Sequence, residues 1–225
     1  MFTESRLFPI AVLASGRGSN LAALIAARNA GTLPVKFALV AGDKPQAPAL
    51  RNAEAHGIPT LALDAKGFAS RLEFDQALFA RIAGSGAELV VLAGFMRVLD
   101  AEVVERWQGR IINIHPSLLP KYRGLHTHRR ALAAGDAEHG ASVHFVTAEL
   151  DGGPAIAQTR IAIRHDDDEQ TLADRLLPRE HRLLVTSVAA IAQGRIALRA
   201  EAVIFDGEVL AAPLRLDRNG VLERA

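Results

Sequence analysis

The sequence predicts an α/β protein: a mostly parallel, twisted sheet with helices on both faces and an antiparallel portion toward the C-terminal end. Three observations lead there. Short apolar runs alternate with helix-period segments through the first half of the chain, the order that builds βαβ units. After Gly140 two strand-like runs follow each other with no helix between them, which favours antiparallel pairing. Apolar residues make up 49% of the 225 positions, enough for a sizeable core without a covalent staple.

Residues 10–14 read as a first strand and residues 20–30 as a helix of alanine and leucine. Residues 35–41 read as a strand, 48–56 as a helix and 60–63 as a short strand. Residues 71–83 form the next helix, with Leu72, Asp75, Leu78, Phe79 and Ile82 spaced for one buried face. A strand at 89–92, a helix at 100–108, a strand at Ile111–His115 and a short helix at 129–134 follow. Residues 141–147 and 155–163 are the two late strands. Residues 171–192 are a long helix candidate, in which Pro178 predicts a kink or break. Residues 196–225 hold short strand-like pieces and a charged end, and no internal repeat or low-complexity segment is visible. The texture changes near residues 109–124 without a flexible linker, so one compact unit is expected.

Composition removes several classes of function. The chain has no cysteine, which excludes disulfides, thiolate metal sites and cysteine nucleophiles and fits a reducing compartment. A net charge of +1 gives no global field toward nucleic acid or acidic lipid. Residues 1–8 carry Glu4 and Arg6 and lack a long apolar stretch, so no signal peptide is expected. No apolar run approaches the ~20 residues that span a bilayer. A soluble, cytoplasmic protein is expected.

Two segments carry candidate chemistry. S-G-R-G-S-N at residues 15–20 follows the first strand and opens the first helix. Glycines let a backbone approach a ligand closely, and a helix N-terminus offers free N–H groups and a positive dipole end. Ser19 and Asn20 add donors and can cap the helix. The segment lacks the Gly-Lys-Ser/Thr of a Walker A loop, and Leu21 stands where a dinucleotide fingerprint has its third glycine. Taken alone, these residues leave an anion site and a tight capped turn both open.

The second segment is I-I-N-I-H-P-S-L-L-P-K-Y-R-G, residues 111–124. Alternate residues of a strand share a face, so Asn113 and His115 project into one pocket. Pro116 stops regular pairing, and residues 117–124 read as a loop. An amide donor beside an imidazole suits stabilising an oxyanion and moving one proton. Asp151 opens the turn D-G-G-P. It serves either turn chemistry or His115, whose pKa a nearby carboxylate would raise above ~6.5, keeping an imidazolium ready.

The remaining histidines have plainer readings. His126 and His128 shape the loop or cap the following helix, His56 and His139 lie on the surface, and His144 is half-buried and satisfied within a strand. No carboxylate stands at a standard zinc spacing from His126 and His128, so no metal is expected. Ser15 and Ser117 lack the G-x-S-x-G setting of a serine nucleophile.

Together these motifs resemble the phosphoribosylglycinamide formyltransferase family, the folate-dependent transformylases of purine synthesis. The matching pieces are V-L-A-S-G-R-G-S-N-L at 12–21, L-A-G-F-M-R-V-L at 92–99 and I-N-I-H-P-S-L-L-P-K-Y-R-G-L-H-T-H at 112–128. G-D-A-E-H-G-A-S-V-H-F-V at 135–146, E-L-D-G-G-P at 149–154 and R-E-H at 179–181 complete the set. The match runs in order over roughly residues 10–195. N-I-H-P-S-L-L-P is common to the wider formyltransferase fold, whereas G-L-H-T-H and D-G-G-P belong more closely to the glycinamide ribonucleotide branch. Arg17 replaces a smaller polar residue, usually Asn, and Pro178 interrupts a helix that is smoother elsewhere in the family.

The resemblance implies a Rossmann-like sheet and a single formyltransferase domain over residues 1–225. Within it, 1–109 would bind phosphate, 110–195 would carry catalysis and folate, and 196–225 would be an extension. It implies 10-formyltetrahydrofolate as co-substrate, attacked at its formyl carbon by the primary amine of glycinamide ribonucleotide without a covalent enzyme intermediate. By resemblance, Asn113 bonds the formyl oxygen, His115 is the acid that stabilises the oxyanion, and Asp151 holds His115 and helps move a proton. Gly18, Ser19 and Asn20 would bind the ribonucleotide phosphate, and Glu180 would lie near the ribose and glycinamide. The folate would lie across Met96, Arg97, Val98 and Leu99, with Asn113 at its formyl end and Arg71 at its tail. Otherwise Phe95 and Val98 would be core in an ordinary turn. His144 would support the site from behind. Partners would be small molecules only, with no nucleic acid and no membrane, on a monomer or homodimer.

Three rivals remain at this stage. A formyltetrahydrofolate deformylase would carry an extra N-terminal domain, for which a first strand at Ile10 leaves no room. A methionyl-tRNA formyltransferase would need a C-terminal RNA-binding domain, where only residues 196–225 are available and the net charge is near zero. A non-catalytic nucleotide-binding module would not need Asn113, His115 and Asp151 together.

Overall fold

The computed structural model describes residues 7–225, so Glu4 and Arg6, on which the leader-free reading of residues 1–8 rests, lie outside the described residues. The chain divides into two compact units, one ending at Arg97 and the other running Val98–Ala225.

The first unit alternates strand and helix: β1 (Phe8–Leu13), α1 (Ser19–Asn29), β2 (Val35–Gly42), α2 (Pro48–Ala55) and β3 (Thr60–Ala62), then a 3-10 turn (Ala65–Gly67), α3 (Arg71–Gly84) and β4 (Leu89–Leu92). Its strands run in the order β4-β1-β2-β3, all parallel. Parallel strands are covered on both faces, which is why they read as unbroken apolar runs rather than alternating ones. Ile10, Ala11, Val12 and Leu13 are accordingly all fully buried, as are Val90 and Val91. Each large apolar side chain buried in this way contributes about 1.5–3 kcal/mol.

Helix α3 buries Phe74, Asp75, Leu78, Phe79 and Ile82. Leu72, expected on that face, is only half-buried. Phe74 takes the place instead, because its ring meets Phe68 edge-on at 5.4 Å and carries the Arg97 guanidinium over its face at 4.6 Å. The helix start is fixed by Ser70, whose hydroxyl accepts from the Glu73 N–H, while the Glu73 carboxylate accepts from the Ala69 N–H.

The second unit begins with α4 (Ala101–Arg106), β5 (Ile111–His115), α5 (Thr127–Ala133), β6 (Glu138–Phe145), β7 (Ala155–Ala162) and α6 (Glu169–Ala192). It ends with β8 (Ile196–Arg199), β9 (Ala202–Phe205), β10 (Glu208–Val209), β11 (Leu214–Leu216) and β12 (Leu222–Glu223). β5, β6 and β7 pair antiparallel, β11 adds parallel to β7, and β12 pairs antiparallel with β11. β8, β9 and β10 make a separate small antiparallel sheet. The expected class holds: a parallel α/β sheet followed by antiparallel strands.

Two expectations are corrected in this unit. Pro178 does not break α6, which runs uninterrupted for 24 residues. A mid-helix proline costs about 3 kcal/mol. The buried stripe of Leu172, Leu176, Leu183, Leu184 and Val188 and the reciprocal Asp168–Thr171 cap offset that cost. His139 is not on the surface but 1% exposed, because β6 starts at Glu138, three residues before the expected 141. No helix among the described residues is long and apolar enough to cross a membrane.

Candidate active site

The site in the second unit grows from the register of β5 against β6, which sets Asn113 opposite His144 and His115 opposite Ser142. Period-two alternation brings Asn113 and His115 to one face, as the sequence predicts. The turn between β6 and β7 then returns Asp151 to them. Asp151 sits at a left-handed φ of 47°, a region that Asp tolerates better than most residues. At Gly153 a Cβ would lie 1.9 Å from the Phe145 carbonyl oxygen, so only glycine lets this turn close against β6.

The Asn113 amide donates to Asp151 Oδ1 at 3.3 Å and faces His144 Nε2 at 3.1 Å. His144 Nδ1 lies 2.9 Å from the Phe145 carbonyl oxygen, which can only accept. These contacts place a proton on His144 Nδ1, while Nε2 faces both the Asn113 amide and, at 3.6 Å, Asp151 Oδ1. The expected half-buried, satisfied histidine is therefore fully buried and satisfied at both nitrogens. On the other side, His115 Nε2 donates to the Tyr122 carbonyl at 2.9 Å, and its Nδ1 stands 3.5 Å from Asp151 Oδ2. Asp151 Oδ2 also accepts the Gly124 N–H at 2.9 Å.

Electrostatics overturn one expectation. Burial pushes the His115 pKa below its ordinary 6.5, outweighing the Tyr122 carbonyl and Asp151, which raise it; His144 and Arg130 lower it further. Asp151 does support the imidazolium, but desolvation is the larger effect, so the resting ring is mainly neutral at pH 7. Burial works to raise the Asp151 pKa in turn. The His144 contact, the Gly124 N–H and His115 overcome it and hold the group below the ordinary carboxylate value. The site thus pairs a neutral base with a fixed carboxylate.

The loop after β5 is held from behind by buried polar groups. Ser142 Oγ donates to the Ser117 carbonyl, and Gln158 Nε2 donates to the Leu119 carbonyl. Ser117 Oγ donates to the Lys121 carbonyl, so this serine is a structural donor and not a nucleophile. His126 caps α5 from a left-handed φ of 60° without a side-chain bond. His128 instead faces His139, Nδ1 to Nε2 at 3.0 Å. The sequence reading missed the Tyr122 carbonyl and the Gly124 N–H. Both are backbone groups, and only the glycine gave a hint that the chain turns there.

In the first unit, α1 begins at Ser19, with Gly18 as its cap at φ 77°, a residue with no side chain to bond the first turn. Ser19 and Asn20 are thus inside the helix and do not cap it. A Cβ at Gly18 would lie 2.6 Å from the Ala49 Cβ. The result is a helix N-terminus capped by glycine behind an exposed Arg17, and helix N-termini favour anions. Ser15 Oγ accepts the Met96 N–H at 2.9 Å, and the Ser15 N–H donates to the Gly94 carbonyl. That serine ties the loop after β1 to the loop after β4.

Of the residues expected to meet folate, Met96 is 65% and Val98 46% exposed. Val98 is therefore not core, whereas Phe95 and Leu99 are buried, and Leu99 can offer a ligand only its backbone. Arg97 lies over Phe74, and Arg71 is exposed in the first turn of α3. Glu180 is half-buried on α6, two residues after Pro178.

Comparison with known proteins gives a consistent picture. The formyl transferase family matches residues 8–188. The Escherichia coli protein named phosphoribosylglycinamide formyltransferase is 44% identical over 89% of this chain and 95% of its own length. The solved structure of the Coxiella burnetii phosphoribosylglycinamide formyltransferase is 44% identical, with a TM-score of 0.88 over 91% of this chain and 96% of that one. A formyltetrahydrofolate deformylase from Pseudomonas syringae reaches a TM-score of 0.81 at 24% identity, over 89% of this chain and 66% of that one, and shares the fold alone.

Proposed function

The chain belongs to the formyl transferase family, and on that premise we propose that it transfers the formyl group of 10-formyltetrahydrofolate to the primary amine of N1-(5-phosphoribosyl)glycinamide. The products are formylglycinamide ribonucleotide and tetrahydrofolate, in purine biosynthesis. The observation that carries this reading is the buried constellation of Asn113, His115 and Asp151. An amide, a neutral imidazole and a carboxylate are linked within 3.5 Å, in a chain similar to transformylases over nearly its whole length.

The amine lone pair attacks the formyl carbon and the carbonyl electron pair moves to oxygen, giving a tetrahedral oxyanion that bears both nitrogens. Asn113 donates to that oxygen, exchanging its 3.3 Å bond to Asp151 for a bond to the developing charge. A preorganised donor of this kind is worth about 10²–10³ in kcat. The amine sheds one proton. Asp151, held as a carboxylate, and His115, neutral at rest, carry that proton as a coupled pair. While the pair holds it, the imidazolium stabilises the oxyanion. The proton then passes to the folate nitrogen, the bond from that nitrogen to the formyl carbon breaks, and the oxyanion collapses to the new amide.

Gly18, Ser19 and Asn20 bind the ribonucleotide phosphate at the first turn of α1, with Arg17 adding charge, and Glu180 serves the ribose and glycinamide. Met96 and Val98 cover the folate ring, backbone groups of Arg97 and Leu99 read its edge, and Arg71 meets its tail. The reaction needs no metal, and the two units act as one formyltransferase domain, monomeric or dimeric, in the cytoplasm. Tetrahydrofolate release is followed with and without the ribonucleotide. Turnover that requires the ribonucleotide is expected, and equal turnover without it makes the protein a deformylase.

A further inference from the structure

We propose that Asp136 is a positioning residue for the catalytic histidine, acting through the backbone carbonyl of Tyr122. This rests on the reading of His115 as catalytic. His115 Nε2 donates to that carbonyl at 2.9 Å, and Tyr122 itself adopts φ 55°. Residues that carry a side chain seldom enter this region, and when they do the surroundings must hold them there. Here the hold is visible. Tyr122 Oη donates to Asp136 Oδ2 at 2.8 Å, and Lys121 Nζ donates to both Asp136 oxygens at 3.0 Å. Asp136 thereby grips two consecutive residues of the loop from the far end of α5, where its own N–H donates to the Ala131 carbonyl.

The Arg130 guanidinium lies 5.2 Å from the centre of the Tyr122 ring and adds a second hold. Asp136 stays ionised throughout: its hydrogen bonds from Lys121 and then Tyr122 hold it below the ordinary carboxylate value. The charged or titratable groups facing His115 are Asp151, His144, Arg130, His128 and His139, and those facing Asp136 are Lys121, Tyr122 and His139. His139 faces both, so Asp136→Asn, which removes the charge and keeps the acceptor, separates the path through the Tyr122 carbonyl from direct charge.

The test is a variant cycle on the whole protein. Asp136→Ala and Tyr122→Phe each remove the same hydrogen bond. Each is expected to lower kcat about tenfold with KM for the ribonucleotide unchanged. Combining them should cost no more than either alone, the mark of one shared interaction. Asp136→Asn keeps an acceptor for the Tyr122 hydroxyl and should restore most of the activity. Because the carbonyl favours the imidazolium, the His115 titration followed by NMR should move to lower pH in Asp136→Ala and Tyr122→Phe, and Asp136→Asn should leave it in place. An unmoved titration in both variants, or multiplicative losses in the double variant, overturns the proposal. A moved titration in a protein without transformylase activity keeps the positioning role and removes the functional reading.

Discussion

His115 Nδ1 and Asp151 Oδ2 stand 3.5 Å apart, both side chains less than a tenth exposed. The other ring nitrogen of His115 already donates to the Tyr122 carbonyl. The ring thus lies between two acceptors in a dry place. The acceptors favour an imidazolium and burial, the larger effect, disfavours it, so in the proposed reaction a proton would meet a base that is ready and a carboxylate that steadies the product.

The first expectation concerns that balance. Burial, the largest influence, holds the His115 pKa below 6.5. An NMR titration of the His115 ring in the free protein should place its midpoint below that of an exposed histidine. A midpoint above it would mean that Asp151 outweighs desolvation and that the imidazolium is the resting form.

Asn113 has no ionisable role, so its removal should act on the transition state alone. Asn113→Ala is expected to lower kcat about 10²–10³-fold with KM for both substrates little changed. A change confined to KM would make Asn113 a ground-state contact.

Gly18 caps α1 at φ 77°, and a Cβ there would come within 2.6 Å of Ala49. Gly18→Ala should distort the helix start and raise the Kd for the ribonucleotide tenfold or more. Inorganic phosphate should lose its ability to compete in the same variant. Calorimetry that gives wild-type affinity would remove the anion site from this loop.

Burial, and then the neighbouring His128, push the His139 pKa down to about 4, compared with about 6.5 in an unfolded chain. Between those values the unfolded chain binds a proton that the folded protein refuses, so stability rises with pH across the window. The contribution is full above pH 6.5 and is lost progressively toward pH 4, roughly 3 kcal/mol at most. Urea midpoints at pH 7 and pH 4.5 should differ less in His139→Gln than in the parent. An equal difference in the two proteins would show that this histidine does not contribute.

Much of this was legible in the sequence because it follows from local patterning. The strands Leu89–Leu92 and Ile111–His115 stand where the apolar runs put them, and the shared face of Asn113 and His115 follows from strand period alone. Asp151 could be linked to them only through the family's motif, since turn chemistry explains an Asp before two glycines equally well. The Tyr122 carbonyl and the Gly124 N–H had no signature, because every residue carries such groups and only tertiary folding aims them. The direction of the His115 pKa was misread for a related reason: a charge partner shows in sequence, the exclusion of water does not. His139 turned on where β6 begins, and Pro178 on how much apolar packing α6 has to set against one lost hydrogen bond.

The most direct measurement is the kcat for formyl transfer in Asp151→Asn, with ribonucleotide affinity measured alongside. The amide keeps the shape of the carboxylate but can neither collect a proton nor support an imidazolium. A loss of about 10²-fold or more in kcat, the scale of general acid–base catalysis, at unchanged ribonucleotide affinity is the expected result. A kcat within a few fold of the parent would contradict proton transfer through the His115–Asp151 pair.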